Sequence, residues 1–165
     1  MESCPPETMA QPALSAVVNE VLGNLAFLIG EDEPHETAAA GEWLEFSISY
    51  CGPRAGTLRC WCTPKLARQL AANLLGTEPQ AGEAEAAAVD ACREFINVLC
   101  GQLVTAWYGR QAVFTLTIPT VETGVGARLP QQLGPECCRI EVGGEPLVCQ
   151  HVAHGGGLAP GPESK

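Results

Sequence analysis

The chain has 165 residues, 46% of them hydrophobic and 17% charged, which is the material for one domain with a real core and excludes the disordered class. A formal net charge of −10 with only nine Lys and Arg argues against nucleic acid and anionic membrane as partners. No apolar run approaches the ~20 residues of a membrane span, and the opening MESCPPETMAQP lacks the basic and apolar regions of a secretory signal, so a cytoplasmic protein is expected.

Residues 1–12 are Pro-rich and polar and are expected to form a flexible tail. The first helix is predicted over 13–29, where Leu14, Val17, Val18, Val21, Leu22, Leu25 and Leu28 recur at helical spacing and Gly30 fits a stop. GEDEPHETAAAG then reads as a loop. Residues 42–51 alternate, with Leu44, Phe46, Ile48 and Tyr50 against Glu45, Ser47 and Ser49, as a half-buried strand does. GPRAG turns the chain, and TLRCWC returns with Leu58, Cys60 and Cys62 on one face, so the two runs predict a hairpin. The second helix has Thr63 as N-cap, Pro64 at the first helical position and Gly76 as its stop. A long third helix is predicted over about residues 83–108, closed by Gly109. A strand at 111–119, a Gly-rich loop and a final hairpin over 138–152 complete the domain, before a flexible tail from 154 to 165. The predicted order is α-β-β-α-α-β-β-β, an α+β class with helices packed on an antiparallel sheet.

Nine cysteines in a chain without a signal peptide predict reduced thiols serving as small core hydrophobes. Cys149, His151 and His154 could seed a metal site with Cys137 and Cys138, but adjacent strand residues point to opposite faces and CxxC pairs are missing. No metal site is expected on this chain. GVGARLP at 124–130 lacks the Gly-Lys-Ser/Thr ending of a phosphate loop. Trp43, Trp61 and Trp107 read as core or interface aromatics.

The third helix carries the chemistry. With Asp90 set at zero and 100° per residue, Glu94 falls at about 40° and Asn97 at about −20°, one stripe roughly 60° wide. Cys92, Phe95, Ile96, Leu99 and Leu103 fall on the other side, between about 140° and 240°. The polar stripe must therefore face outward. Gly101 lies near it at about 20° and would leave the surface low beside Asn97. Exposed acids on a helix are ordinary, whereas an exposed Asn in a helix interior is less favourable than Ala, Glu or Lys by several tenths of a kcal/mol.

Asp90, Glu94 and Asn97, with twenty-one residues between Asn97 and Pro119, match the pattern Asp/Ser-x3-Glu-x2-Asn-x21-Pro. In this the chain resembles the CheC/CheX/FliY family of chemotaxis phosphatases, and its element order and length resemble the short CheX-like members. The resemblance covers most of residues 13–153, which are expected to form a single CheX-like phosphatase domain. It implies hydrolysis of the phospho-aspartate of a CheY-type response-regulator receiver. It further implies that Asn97 orients the attacking water and that Glu94 docks to the receiver's lysine. Asp90 and Pro119 are supporting positions, and Mg2+ is carried by the receiver. The family's second motif is degenerate here: the first helix offers Asn19, Glu20 and Asn24, with Gly23 where the family's Asn would stand. One site per chain is the CheX-like arrangement, which implies a homodimer. Two other readings stand beside it: a non-catalytic receiver-binding or scaffold module of the same fold, and a thiol- or metal-dependent sensor.

Overall fold

The computed structural model describes residues 12–32, 41–125 and 136–155. The expected tails at 1–12 and 154–165 lie almost wholly outside the described residues, as does most of GVGARLP. The elements are α1 (Leu14–Ala26), β1 (Gly30–Asp32), β2 (Trp43–Cys51), β3 (Ala55–Cys62), α2 (Pro64–Leu75), α3 (Gly82–Tyr108), β4 (Thr115–Leu116), β5 (Thr120–Val125), β6 (Cys137–Val142) and β7 (Glu145–His154). All strands pair antiparallel in the order β1-β6-β7-β3-β2-β4, and β5 pairs with β2 as well. The α+β class therefore holds, and every predicted helix is present.

The order gains two strands. β1 occupies the start of the predicted loop, and β5 occupies part of the predicted Gly-rich connection. The strand predicted over 111–119 shortens to Thr115–Leu116. β4 and β5 share one edge of β2: β4 faces Tyr50 and Cys51, and β5 faces Trp43 to Ser47. Gly30 does not end α1. That helix is closed by Phe27 in the left-handed conformation (φ 55°), and Gly30 opens β1 where a Cβ would collide with Ile140 and Asn19. α2 keeps all three predicted punctuation marks. The Thr63 hydroxyl accepts from the Leu66 N–H at 3.2 Å, Pro64 follows, and Gly76 caps with φ 68°.

The three helices cover one face of the sheet. Phe46, Ile48, Leu58, Cys60, Ile140 and Leu147 rise from the strands to meet Leu22, Leu70, Phe95 and Leu99, all of them buried. The alternation of β2 is the physical cause, because every second side chain of a strand points to the same face. Trp43, Trp61 and Val148 form a second, smaller buried cluster.

Candidate active site

α3 is long and strongly anchored. Glu83 and Glu85 lie in its first turn, where a helix dipole favours negative charge. Ten of its side chains, from Ala84 to Val104, are buried. Phe95 meets Phe46 edge to face at 6.3 Å, which fixes the rotation of the helix against the sheet. At the C-terminal end Tyr108, Trp107 and Phe114 gather around Tyr50 and His151. The Tyr50 hydroxyl lies 2.8 Å from His151 Nε2 and 3.1 Å from the Tyr108 hydroxyl. Burial pushes the Tyr50 phenol above its ordinary range and holds the His151 imidazole below its own.

With the core face fixed, the opposite edge is exposed, and Asp90, Glu94 and Asn97 all lie on it. The structure brings these three predicted residues together. Asp90 is paired: Arg93 Nη1 donates to its Oδ1 at 2.8 Å. Neither Glu94 nor Asn97 bonds its side chain to any described residue. A carboxylate and a carboxamide thus stand three residues apart on one rigid helix with their polar atoms open. Arg93 is the site residue that sequence reasoning missed, and an opposite charge at i+3 was the available signal.

Pro119 is not on this helix. It lies half-buried in the connection from β4 to β5, where a missing N–H interrupts no ladder. Beside it the Thr117 N–H donates to the Ser49 carbonyl at 2.9 Å, and the Thr117 hydroxyl accepts from the Ser49 N–H at 3.0 Å.

Gly101 is one turn beyond Asn97 on the same edge. A Cβ there would meet no described atom within 4 Å. The Thr105 hydroxyl donates back to the Gly101 carbonyl at 2.9 Å. An open cleft of about 440 Å³, lined by Arg54, Trp107, Tyr108 and His154, lies at the far end of α3. Ten residues from Asn97 to Trp107 make that about 15 Å along the helix.

The cysteines lie away from this edge. The eight described cysteines are free thiols, and Cys60, Cys62, Cys92, Cys100 and Cys149 are buried. Cys60 Sγ lies 3.2 Å from Cys149 Sγ. Burial raises the Cys100 thiol to about 12 and the Cys137 thiol to about 11, so neither is a ready nucleophile at neutral pH. Cys137 and Cys138 belong to different clusters, as vicinal strand residues must. His151 is buried against Tyr50, whereas the exposed His154 bonds Thr57 at 2.7 Å.

The sequence matches the profile of the family described as Chemotaxis phosphatase CheX over residues 46–142, more than half of the chain. The chain belongs to the CheX family. CheX proteins of known structure share its fold. That of Vibrio vulnificus has a TM-score of 0.66 at 17% identity, over 93% of this chain and 100% of that one. That of Desulfovibrio desulfuricans has a TM-score of 0.65 at 15% identity, over 86% and 96%. The Borrelia burgdorferi chain from a CheX–CheY–BeF3–Mg2+ complex has a TM-score of 0.63 at 16% identity, over 86% and 95%. The sequence matches no curated protein. No helix among the described residues is long and apolar enough to cross a membrane. As a CheX-family chain it is a member of a family of chemotaxis phosphatases, and α3 lies within the matched span from Gly82 to Tyr108.

Proposed function

We propose that this CheX-family chain hydrolyses the phospho-aspartate of a CheY-type response-regulator receiver, with the edge of α3 entering the receiver's active site. The observation that carries the proposal is the pair Glu94 and Asn97, exposed, unpartnered among the described residues and three apart on an anchored helix. Phosphoryl transfer asks for positioning and charge stabilisation more than for covalent chemistry. Asn97 supplies the positioning. Its carboxamide both donates and accepts hydrogen bonds and stays neutral, so it holds a water in line with the phosphorus without competing for the proton. Glu94 supplies the docking. Its carboxylate meets the ammonium of the receiver's active-site lysine, and the i, i+3 spacing makes the docked Glu94 aim Asn97. The Mg2+ of the reaction belongs to the phosphorylated receiver.

Asp90, paired with Arg93, has a supporting role, and Pro119 shapes the strand connection. We further propose that the chain acts as a homodimer. The exposed Val113 and Ile118, 82% and 86% accessible beside the β4 edge, support this, because an apolar sheet edge calls for a cover. Light scattering at micromolar concentration tests it.

The decisive experiment follows the lifetime of a phosphorylated CheY-type receiver alone, with wild-type protein and with Asn97→Ala. Wild type is expected to shorten the lifetime and Asn97→Ala to leave it unchanged while still binding. Equal shortening by both would remove Asn97 from the chemistry. Binding without shortening by either would make the chain a non-catalytic receiver-binding module.

A further inference from the structure

Gly101 stands inside a 27-residue helix, where only proline is less favourable than glycine. A glycine in such a place ordinarily serves a positive φ or a neighbour too close for a Cβ. Gly101 serves neither. It is not among the positive-φ glycines, and a Cβ on it would meet no described atom within 4 Å. Gly52 and Gly56 show the contrast: a Cβ would come within 2.5 Å of the Val113 carbonyl in one case and 2.6 Å of the Tyr50 hydroxyl in the other. Neither of these reasons for a glycine applies at 101 among the described residues.

Its neighbours suggest another. Asn97 precedes it by one turn and Thr105 follows by one turn, both exposed, with Gly101 half-buried between them. The Thr105 hydroxyl, donating to the Gly101 carbonyl at 2.9 Å, is held down against the helix. Beyond the side chains of Asp90, Glu94 and Asn97, the same edge continues with no side chain at Gly101 and with the Thr105 hydroxyl bonded back to the helix, which leaves a low place. A body lying across this edge reaches backbone there rather than side chain.

We propose that Gly101 is a clearance position for the receiver: a main-chain segment beside the receiver's phosphorylation site seats in this low place, and any side chain at 101 would hold it off. This rests on the phosphatase reading above and adds to it a determinant of receiver choice. Gly101 touches no reacting atom, so it is a positioning residue and acts through docking.

The test uses Gly101→Ala and Gly101→Leu in the full chain, with a purified CheY-type receiver either phosphorylated or loaded with beryllofluoride and Mg2+. Direct binding to the loaded receiver decides the clearance, and turnover of the phosphorylated one decides the phosphatase reading. Gly101→Ala is expected to weaken binding about tenfold and Gly101→Leu about a hundredfold, with kcat of the Ala variant within about threefold of wild type. Asn97→Ala gives the opposite split, with kcat lost and binding kept. The Ala variant's Tm should rise by about 2–4 °C, as a better helix former requires, so lost docking cannot be read as lost folding. If both variants bind the loaded receiver as wild type does, the clearance is overturned and the phosphatase reading stands. If wild type binds without turnover, the phosphatase reading fails and the binding comparison still decides the clearance. A wild type that neither binds nor turns over the receiver overturns both.

Discussion

Arg93 lies 2.8 Å from Asp90 through Nη1 and Oδ1, so of the two carboxylates Asp90 and Glu94 one is already paired and the other is open among the described residues. Two exposed acids thus differ in what they can meet. Asp90 faces a cation of its own helix, whereas Glu94 is left for a cation from elsewhere.

Exchange of Asn97 for Ala should lower turnover of a phosphorylated receiver by about 10²- to 10³-fold, the usual loss when a positioned hydrogen-bonding group is removed from a transition state. Stability should stay level or rise by about 0.5 kcal/mol, because Ala is the better helix former at an exposed site. Phosphate release and urea unfolding of the same preparation read the two effects. Lost turnover together with lost stability would contradict the assignment.

Glu94→Gln should act on docking. Removing one charge that meets a lysine raises the half-saturating receiver concentration about tenfold or more and flattens its salt dependence. Asp90→Ala, which removes a charge already met by Arg93, should leave turnover within about threefold and stability within about 0.5 kcal/mol, the usual range for an exposed ion pair. A larger effect at Asp90 than at Glu94 would reverse the roles.

Gly56 faces the Tyr50 hydroxyl and His151 Nε2, and an added Cβ would lie 2.6 Å and 2.8 Å from them. Gly56→Ala should therefore destabilise the domain by about 1–3 kcal/mol, the usual cost of overpacking. Tyr50→Phe, which strips the bonds to His151 and Tyr108, should cost about 1–3 kcal/mol by leaving buried polar groups unmet. Thermal unfolding measures both, and a neutral Gly56→Ala would contradict the packing described.

His151 gives the fold a pH dependence of definite sign. Loss of hydration holds its imidazole below the ordinary 6.5, against the opposing pull of the Glu136 carboxylate 3.7 Å away. The unfolded chain then binds this proton more readily than the folded one. Stability from the neutral imidazole is complete above 6.5 and is lost as pH falls from there through the lowered folded value. Tm should decline between about pH 7 and pH 5, and His151→Gln, less stable at neutral pH, should decline less steeply over the same range. Equal slopes would remove His151 as the cause.

What the sequence made legible follows from which forces are local. The phase of α3 was readable because Cys92, Phe95, Ile96, Leu99 and Leu103 repeat at 3.6 residues, and each is 0% exposed. The caps of α2 were readable because Thr, Pro and Gly act through their own backbones. β1 was not, since Gly30 to Asp32 become a strand only by pairing with Ile140 to Val142. Phe27 was not, because a left-handed C-cap usually shows itself as Gly or Asn. At the site, the shared edge of Asp90, Glu94 and Asn97 could be drawn from helical geometry alone. The approach of Tyr50 to His151, two residues 101 apart in sequence, could not.

The seam between β3 and β7 pairs Ala55 with His154 and Cys62 with Leu147. A strand made late in the chain thus lies in the middle of the sheet, flanked by one made early. During synthesis the β2–β3 hairpin leaves the ribosome with its inner edge unmatched, and Leu58 and Cys60 beside it. Nothing local can satisfy that edge until β7 has emerged about ninety residues later, at 5–20 residues per second some 5–20 s of exposure. A nascent chain of this fold holds an open strand for that whole interval, and its dependence on chaperones should be set by that delay.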